Sequence, residues 1–368
     1  MPQKRMRGPL GCRSVADLAQ RLAHRTLELV DVPSESRDEA ALHAHVRSLW
    51  ETAGVAVRDA GDTCLLGGVT ERGDRPLVLL AGHLDTVPAQ GNRPGRIEGG
   101  AVHGLGAADM KGADAIIVEL AMTEPEDRSV DLGYVLFGRE ELTFGESALT
   151  PLLEREPGLR TADLVVVMEP TANRVQAGCL GNLNATWTFE GRAGHSARPW
   201  LADNAIERLA VGIAAVAEIE PVEHEFEGLT FTEVVSVTQV HAGIARNVIP
   251  GEATALVNFR YPPGMRAEEA EARLRALCEP HGRLVIDGNA PSGAVAASAL
   301  VEALRDAAGG DPLEPKQAWT PVAEFAAFGV DAVNFGPGEP RFAHTADEQV
   351  SIDALVRCFE ALVVLACR

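Results

Sequence analysis

The 368-residue chain has six cysteines, Cys12, Cys64, Cys179, Cys278, Cys358 and Cys367, and no two of them form a C-x-x-C pair. That spacing excludes a zinc ribbon and a dense disulfide framework, and predicts reduced, partly buried thiols. Long apolar runs are missing as well. Behind the basic residues 1–7, residues 8–20 hold no continuous apolar stretch of the length a signal peptide needs. No later segment reaches the roughly 18 uninterrupted apolar residues of a membrane helix. These gaps predict a cytoplasmic protein with no membrane partner. Positive charge is scarce, with 33 Lys and Arg against 53 Asp and Glu and a net charge of −20. Nucleic acid is therefore a poor partner, since phosphates bind clustered Lys and Arg. An anionic small molecule stays open, because a few arginines inside a cleft hold carboxylates whatever the net charge. No internal repeat or low-complexity stretch interrupts the sequence.

What is present suits a folded protein of two domains. Hydrophobic residues at 46% and charged residues at 23% are ordinary for a globular chain, and its length exceeds the roughly 250 to 300 residues at which single cores stop growing. Residues 1–13 read as a loose tail. Val15, Leu18, Leu22 and Leu29 recur at helical intervals over 14–29. Past Pro33 and Ser34, a second helix presents Leu42, Val46, Leu49 and Trp50 on one face and stops at Gly54. From Pro76 onward, short apolar runs at 77–81, 132–137 and 164–168 predict buried strands of a mostly parallel sheet, with helices at 109–122 and 146–154 between them.

Between Gly181 and about Gly288 the pattern changes. An alternating strand (Leu183, Ala185, Trp187, Phe189) precedes a helix over 202–219, strands at 234–240 and 253–259, a helix over 267–278 and a strand at 284–286. This βαββαβ order predicts a small ferredoxin-like α+β insert. After Pro291 the α/β character resumes with a helix from Ala297, a strand at 332–335 and a closing helix over 352–365. The expected organisation is a catalytic α/β domain in two parts, 1–178 and 291–368, its sheet flanked by helices, with the insert at 179–290.

Five segments carry chemistry. Gly82-His83-Leu84-Asp85-Thr86-Val87-Pro88 leaves the 77–81 strand. Two apart in extended chain, His83 and Asp85 point to one side, so the Asp can hold the imidazole while its other nitrogen meets a metal. In isolation such a pair is more often structural. A glycine-rich run, 104–112, delivers Asp109 to the start of a helix, where it can cap the helix or bridge two cations with its two oxygens. Glu140-Glu141 ends an apolar strand, where ligands bind in open α/β sheets. There one acid can bind metal and the other move a proton, although a bare Glu-Glu pair is commonly just surface. Glu169-Pro170-Thr171 follows the next strand, and Ala343-His344-Thr345-Ala346-Asp347-Glu348 follows the loop 335–338. Two histidines and three carboxylates, with one Glu to spare, make the mixed N/O donor set that zinc accepts.

In this order the five segments resemble the co-catalytic zinc aminoacylase and carboxypeptidase family, from about Leu27 to the C-terminus. The likeness is strongest to its actinobacterial desuccinylases. The resemblance implies a metal-dependent amidohydrolase with two Zn2+ per chain, Co2+ or Mn2+ being substitutes. It implies that His83, Asp109 and Glu169 hold one ion and Asp109, Glu141 and His344 the other, with Asp85 orienting His83 and Glu140 acting as general acid and base. It further implies that the insert is a lid and dimerisation domain of a homodimer. In that homodimer His195, within Gly194-His195-Ser196-Ala197-Arg198-Pro199, reaches the partner subunit's site and stabilises the oxyanion. Asn247 and Arg260 would recognise substrate carboxylate, with Thr320 and Gly338 as further contacts. Read alone, His195 is a surface or satisfied loop residue, and Arg260 is as readily part of an edge-strand salt bridge.

The implied substrate is a small anionic N-acyl amino acid, N-succinyl-diaminopimelate first. Acetylornithine, another N-acyl amino acid or a dipeptide are the alternatives. One residue departs from the pattern: many desuccinylases carry Arg where this chain has Glu324, which removes a carboxylate contact. A non-catalytic relative would lack a ligand or the base, and this chain lacks neither.

Overall fold

A computed structural model describes residues 15–367 apart from Glu124 and Glu126. The tail at residues 1–13, with Cys12, lies outside the described residues. The chain divides into two compact units: one holds the described residues up to Ala177, Ala296–Glu314 and those from Glu324 onward, and the other holds Gly178–Val295 and Pro315–Ala323.

The first unit is built on an eight-stranded sheet in the order Val57–Gly61, Cys64–Gly68, Asp131–Phe137, Leu77–His83, Leu164–Val167, Ala332–Asn334, Gln176–Ala177, Glu314–Pro315. Its four central strands run parallel. Every residue of those four is buried, so both faces are covered, which is why they read as unbroken apolar runs. The Val15–Asp31 helix buries Leu18, Leu22, Ala23, Thr26, Leu29 and Val30 against the helices Gly112–Met122 and Ile352–Ala366. Val15, placed on that face by its spacing, is 63% exposed at the first turn. The Ala40–Ala53 helix buries Leu42, Val46 and Trp50, and Gly54 stops it in the left-handed conformation at φ 77°.

Two helices differ from the sequence reading. The segment expected to be helical from Asp109 starts as a distorted turn, Ala107–Lys111, whose Asp109 (φ −131°, ψ 92°) and Met110 are not helical, and regular helix begins at Gly112. Asp109 is therefore not a helix cap. The 146–154 helix is a 3-10 turn, Phe144–Glu146, followed by Leu149–Arg155.

The second unit is a five-stranded antiparallel sheet in the order Val222–Phe226, Leu229–Ala242, Glu252–Tyr261, Gly181–Glu190, Arg283–Ala290, with helices Ala205–Ala217 and Ala267–Cys278. The predicted alternation holds: Leu183, Ala185, Trp187 and Phe189 join Ala253, Ala255, Val257, Phe259 and Tyr261 in one core. Each large side chain sealed there contributes on the order of 2 kcal/mol. The fifth strand, Val222–Phe226, was not legible because its Glu223-His224-Glu225 run is polar. A tight hairpin makes it, with positive φ at Glu227 (49°) and Gly228 (81°). Residues Pro315–Ala323 join this unit through hydrogen bonds such as Leu180 N–H to the Ala318 carbonyl at 3.1 Å and the Trp319 indole to the Pro291 carbonyl at 3.1 Å.

Candidate metal centre

His83 ends one of the four parallel strands, and Glu140-Glu141, Glu169 and the 335–338 loop follow the carboxyl ends of the other three. In open α/β sheets that edge is where ligands bind. Chain segments remote in sequence therefore converge around Asp109. Its Oδ1 lies 3.2 Å from His83 Nε2 and its Oδ2 lies 3.4 Å from His344 Nε2. One carboxylate thus faces two imidazoles through different oxygens. His344 Nε2 also meets Glu141 Oε1 at 2.9 Å, and His83 Nε2 lies 3.9 Å from Glu169 Oε1.

The His83 ring is sealed at 1% exposure, and its Nδ1 bonds the main-chain carbonyl of Asp85 at 3.0 Å. A carbonyl only accepts, so Nδ1 donates to it and Nε2 is the nitrogen turned toward the cluster. The side chain of Asp85 has another task. Its Oδ1 is 3.7 Å from His83 Nδ1, and its two oxygens accept the backbone N–H of Glu140 (2.9 Å), that of Glu141 (3.0 Å) and the Ser36 hydroxyl (2.8 Å). Asp85 orients His83 by its backbone and the Glu140-Glu141 loop by its carboxylate.

The electrostatics of the cluster favour added positive charge. Asp109, Glu140, Glu141 and Glu169 crowd two histidines, and in two groups, His83/Asp109/Glu141 and His83/Glu140/Glu169, one donor atom from each residue lies within 4.8 Å of the others. Burial and the charge of Glu169 push the Glu140 carboxyl well above its ordinary range. Burial raises Glu141 against the pull of His344. Hydrogen bonds to Asp109 and Glu141 lift His344 to about 11. Burial opposes charge on His83, but the Asp109 hydrogen bond and the charges of Glu140, Asp85 and Asp109 outweigh it and hold that ring well above its usual value. Carboxylates gathered out of water in excess of cations are relieved by taking up protons or by added positive charge. With two imidazole nitrogens and carboxylate oxygens as donors, the cluster fits divalent metal ions of the zinc, cobalt or manganese kind.

Several supporting residues had no signature in the sequence. Ser36 holds Asp85. Gln90 and Asn92 donate side-chain N–H to the carbonyls of His344 (2.9 Å) and Thr345 (3.3 Å). Glu348 accepts three backbone N–H groups of the Asp109 loop. Gly338 is a packing position. A Cβ there would stand 2.3 Å from the Ala108 carbonyl oxygen and 2.9 Å from Pro170 Cβ, so only Gly lets the loops bearing Asp109 and Glu169 close on each other.

Glu324 is turned inward at 1% exposure. Its carboxylate accepts the Ser147 hydroxyl (3.0 Å), the Thr150 hydroxyl (2.7 Å) and the Thr150 N–H (3.0 Å). Burial raises it to about 7 against those hydrogen bonds. It is an internal staple of the first unit, with both oxygens committed.

The remaining candidates lie in the second unit. His195 and Asn247 are brought together there: the pair Gly194–His195 bridges Val248–Ile249, and Ser196 N–H bonds the Asn247 carbonyl at 3.0 Å. Both side chains are exposed. Arg260 sits on an interior strand, half-buried, with its Nε bonded to Asn258 Oδ1 at 2.9 Å. Among the described residues no acid ion-pairs with it, so the edge-strand salt bridge is absent. Burial lowers its pKa. Thr320 is buried, and its carbonyl accepts from Cys179 Sγ at 3.7 Å.

Comparison with known proteins agrees with this geometry. Residues 79–368 match peptidase family M20/M25/M40. The chain is 37% identical to a Mycobacterium tuberculosis protein, covering 92% of this chain and 95% of that one. It is 34% identical to a Corynebacterium glutamicum protein, covering 90% and 92%. Both relatives carry the name succinyl-diaminopimelate desuccinylase, provisionally in the first case. Among solved structures, a Bacillus subtilis dinuclear metal-binding peptidase of family M20 superposes with a TM-score of 0.66 at 16% identity, covering 96% of this chain and 98% of that one.

Proposed function

The chain belongs to peptidase family M20/M25/M40, whose hydrolases are metal-dependent, and we propose that it cuts N-succinyl-LL-2,6-diaminopimelate to succinate and LL-2,6-diaminopimelate. The observation that carries the reaction type is the carboxylate of Asp109 set between His83 and His344, with the Glu140 carboxyl beside it. His83, Asp109 and Glu169 would hold one zinc ion and Asp109, Glu141 and His344 the other. Two such cations polarise an amide carbonyl and make water a stronger acid.

The protein's own groups do the rest. Glu140, whose carboxyl is held high by burial and neighbouring acids, takes the proton of the attacking water and returns it to the leaving amine. Asp85 fixes the loop that bears Glu140. His195 accepts the Ala197 N–H on Nδ1 at 3.1 Å, so its neutral ring carries the proton on Nε2 as a donor for the oxyanion. In this reading the protein is a cytoplasmic homodimer, and that donor is His195 of the partner subunit.

The succinyl substrate draws support from the two desuccinylase relatives and from the side chains available. Arg260 keeps its guanidinium clear of acids on a half-buried polar face, and Asn247 is exposed. Glu324 is buried at 1% exposure, with its carboxylate held by Ser147 and Thr150.

A substrate panel with added zinc tests the assignment. N-succinyl-LL-diaminopimelate should show a kcat/KM at least about 100-fold above N-acetylornithine and simple dipeptides, a ratio worth about 2.7 kcal/mol. A better rate on either competitor contradicts it.

A further inference from the structure

Resting on the metal-centre reading above, we propose that Glu348 is a positioning residue for Asp109 and so sets the affinity of the site for its cations. Its Oε2 accepts the Gly106 N–H at 2.8 Å, and its Oε1 accepts the N–H groups of Ala108 and Asp109, each at 3.0 Å. Its own carbonyl accepts the Gly104 N–H at 3.0 Å. One residue thus ties the loop at four points, and one of them is the backbone of Asp109, whose carboxylate faces both histidines.

The loop needs such a tie. Asp109 and Met110 are not helical and Gly106 is left-handed at φ 80°, so no regular ladder fixes this backbone before Gly112. Glu348 itself is 2% exposed, which keeps water from competing for the three N–H groups. It also follows His344 by four residues. The same short segment therefore supplies the imidazole at Asp109 Oδ2 and the anchor of the Asp109 backbone, so both sides of that contact move together. Groups that orient a ligand in this way govern affinity without touching the ion.

The two obvious variants differ in what they leave behind. In Glu348→Gln the amide oxygen can still accept from Ala108 and Asp109, but its nitrogen opposes the Gly106 N–H. In Glu348→Ala all three buried N–H groups lose their partner.

Zinc binding to the full-length apoprotein, by competition with a chromogenic chelator well below each variant's melting temperature, tests the idea. Glu348→Gln should weaken binding of at least one zinc by about tenfold and Glu348→Ala by about 100-fold. His344→Ala is the control. If the wild type binds two zinc ions, His344→Ala loses one and Glu348→Gln stays within twofold of wild type, the positioning role is overturned while the metal centre stands. If neither wild type nor control binds zinc, the underlying reading fails and takes this one with it. Should Glu348→Ala not fold, Glu348→Gln decides alone.

Discussion

Asp85 accepts the backbone N–H of Glu140 at 2.9 Å through Oδ1 and that of Glu141 at 3.0 Å through Oδ2. The backbones of Glu140 and Glu141 thus hang from the two oxygens of one buried carboxylate. Asp85→Asn leaves one acceptor oxygen and one of these bonds. It should lower kcat by about 100-fold, the cost of misplacing a reacting group by about 1 Å, with zinc content near wild type. Ser36→Ala removes only the third hydrogen bond and should cost less than about tenfold. Unchanged turnover in Asp85→Asn would sink this role.

Gly338 marks where the loops bearing Asp109 and Glu169 meet. Because its Cβ would stand 2.3 Å from the Ala108 carbonyl oxygen, Gly338→Ala should destabilise the fold by about 1 to 3 kcal/mol, as overpacking does. Zinc affinity should fall with it, since Ala108 precedes Asp109. A melting temperature and zinc titration identical to wild type would show that the neighbourhood yields freely.

Glu324 carries a pH dependence of definite sign. Its folded-state pKa is raised to about 7 from an ordinary 4.5. The folded protein therefore binds the proton more tightly than the unfolded chain. Stability from this group is greatest below the unfolded value and is lost as pH rises through about 7. The loss is at most roughly 3 kcal/mol at 1.36 kcal/mol per unit. The melting temperature of Glu324→Gln, relative to wild type, should therefore be more favourable at pH 8 than at pH 5. A difference that does not move with pH contradicts the assignment.

His195 belongs to the second unit. His195→Ala should reduce kcat by about 100- to 1,000-fold, as removal of an oxyanion donor does, and leave two zinc ions bound. Sedimentation should show a dimer for both proteins. A fully active monomer would remove the basis for a residue supplied across subunits.

The sequence carried those parts of this architecture whose physics is local. Strands such as Leu77–His83 and Asp131–Phe137 are buried on both faces and read as apolar runs, and the Leu183 to Phe189 alternation marked a strand with one buried face. Three of the candidate donors, His83, Glu141 and Glu169, were legible because they lie at the carboxyl ends of parallel strands. Asp109 misled at the level of the helix: a glycine-rich run before an apolar stretch looks like a cap, and only the tertiary pull of His83, His344 and Glu348 takes it out of the helix. The Val222–Phe226 edge strand is exposed and polar, so nothing periodic announces it. Glu324 shows the largest gap between residue and role. Its identity suggested a lost carboxylate contact, whereas Ser147 and Thr150, more than 170 positions away, hold it inside the fold.

The division of labour between Glu140 and Glu141 is the central claim, and the structure makes it a sharp question, because Glu140 lies within ligand range of His83 and Glu169. Zinc content and turnover measured together on Glu140→Gln and Glu141→Ala answer it. The account predicts that Glu140→Gln keeps two zinc ions per chain and loses about 100- to 10,000-fold in kcat, the span of general acid–base catalysis, while Glu141→Ala loses zinc. A Glu140→Gln enzyme that stays active, or that sheds zinc as Glu141→Ala does, would contradict it.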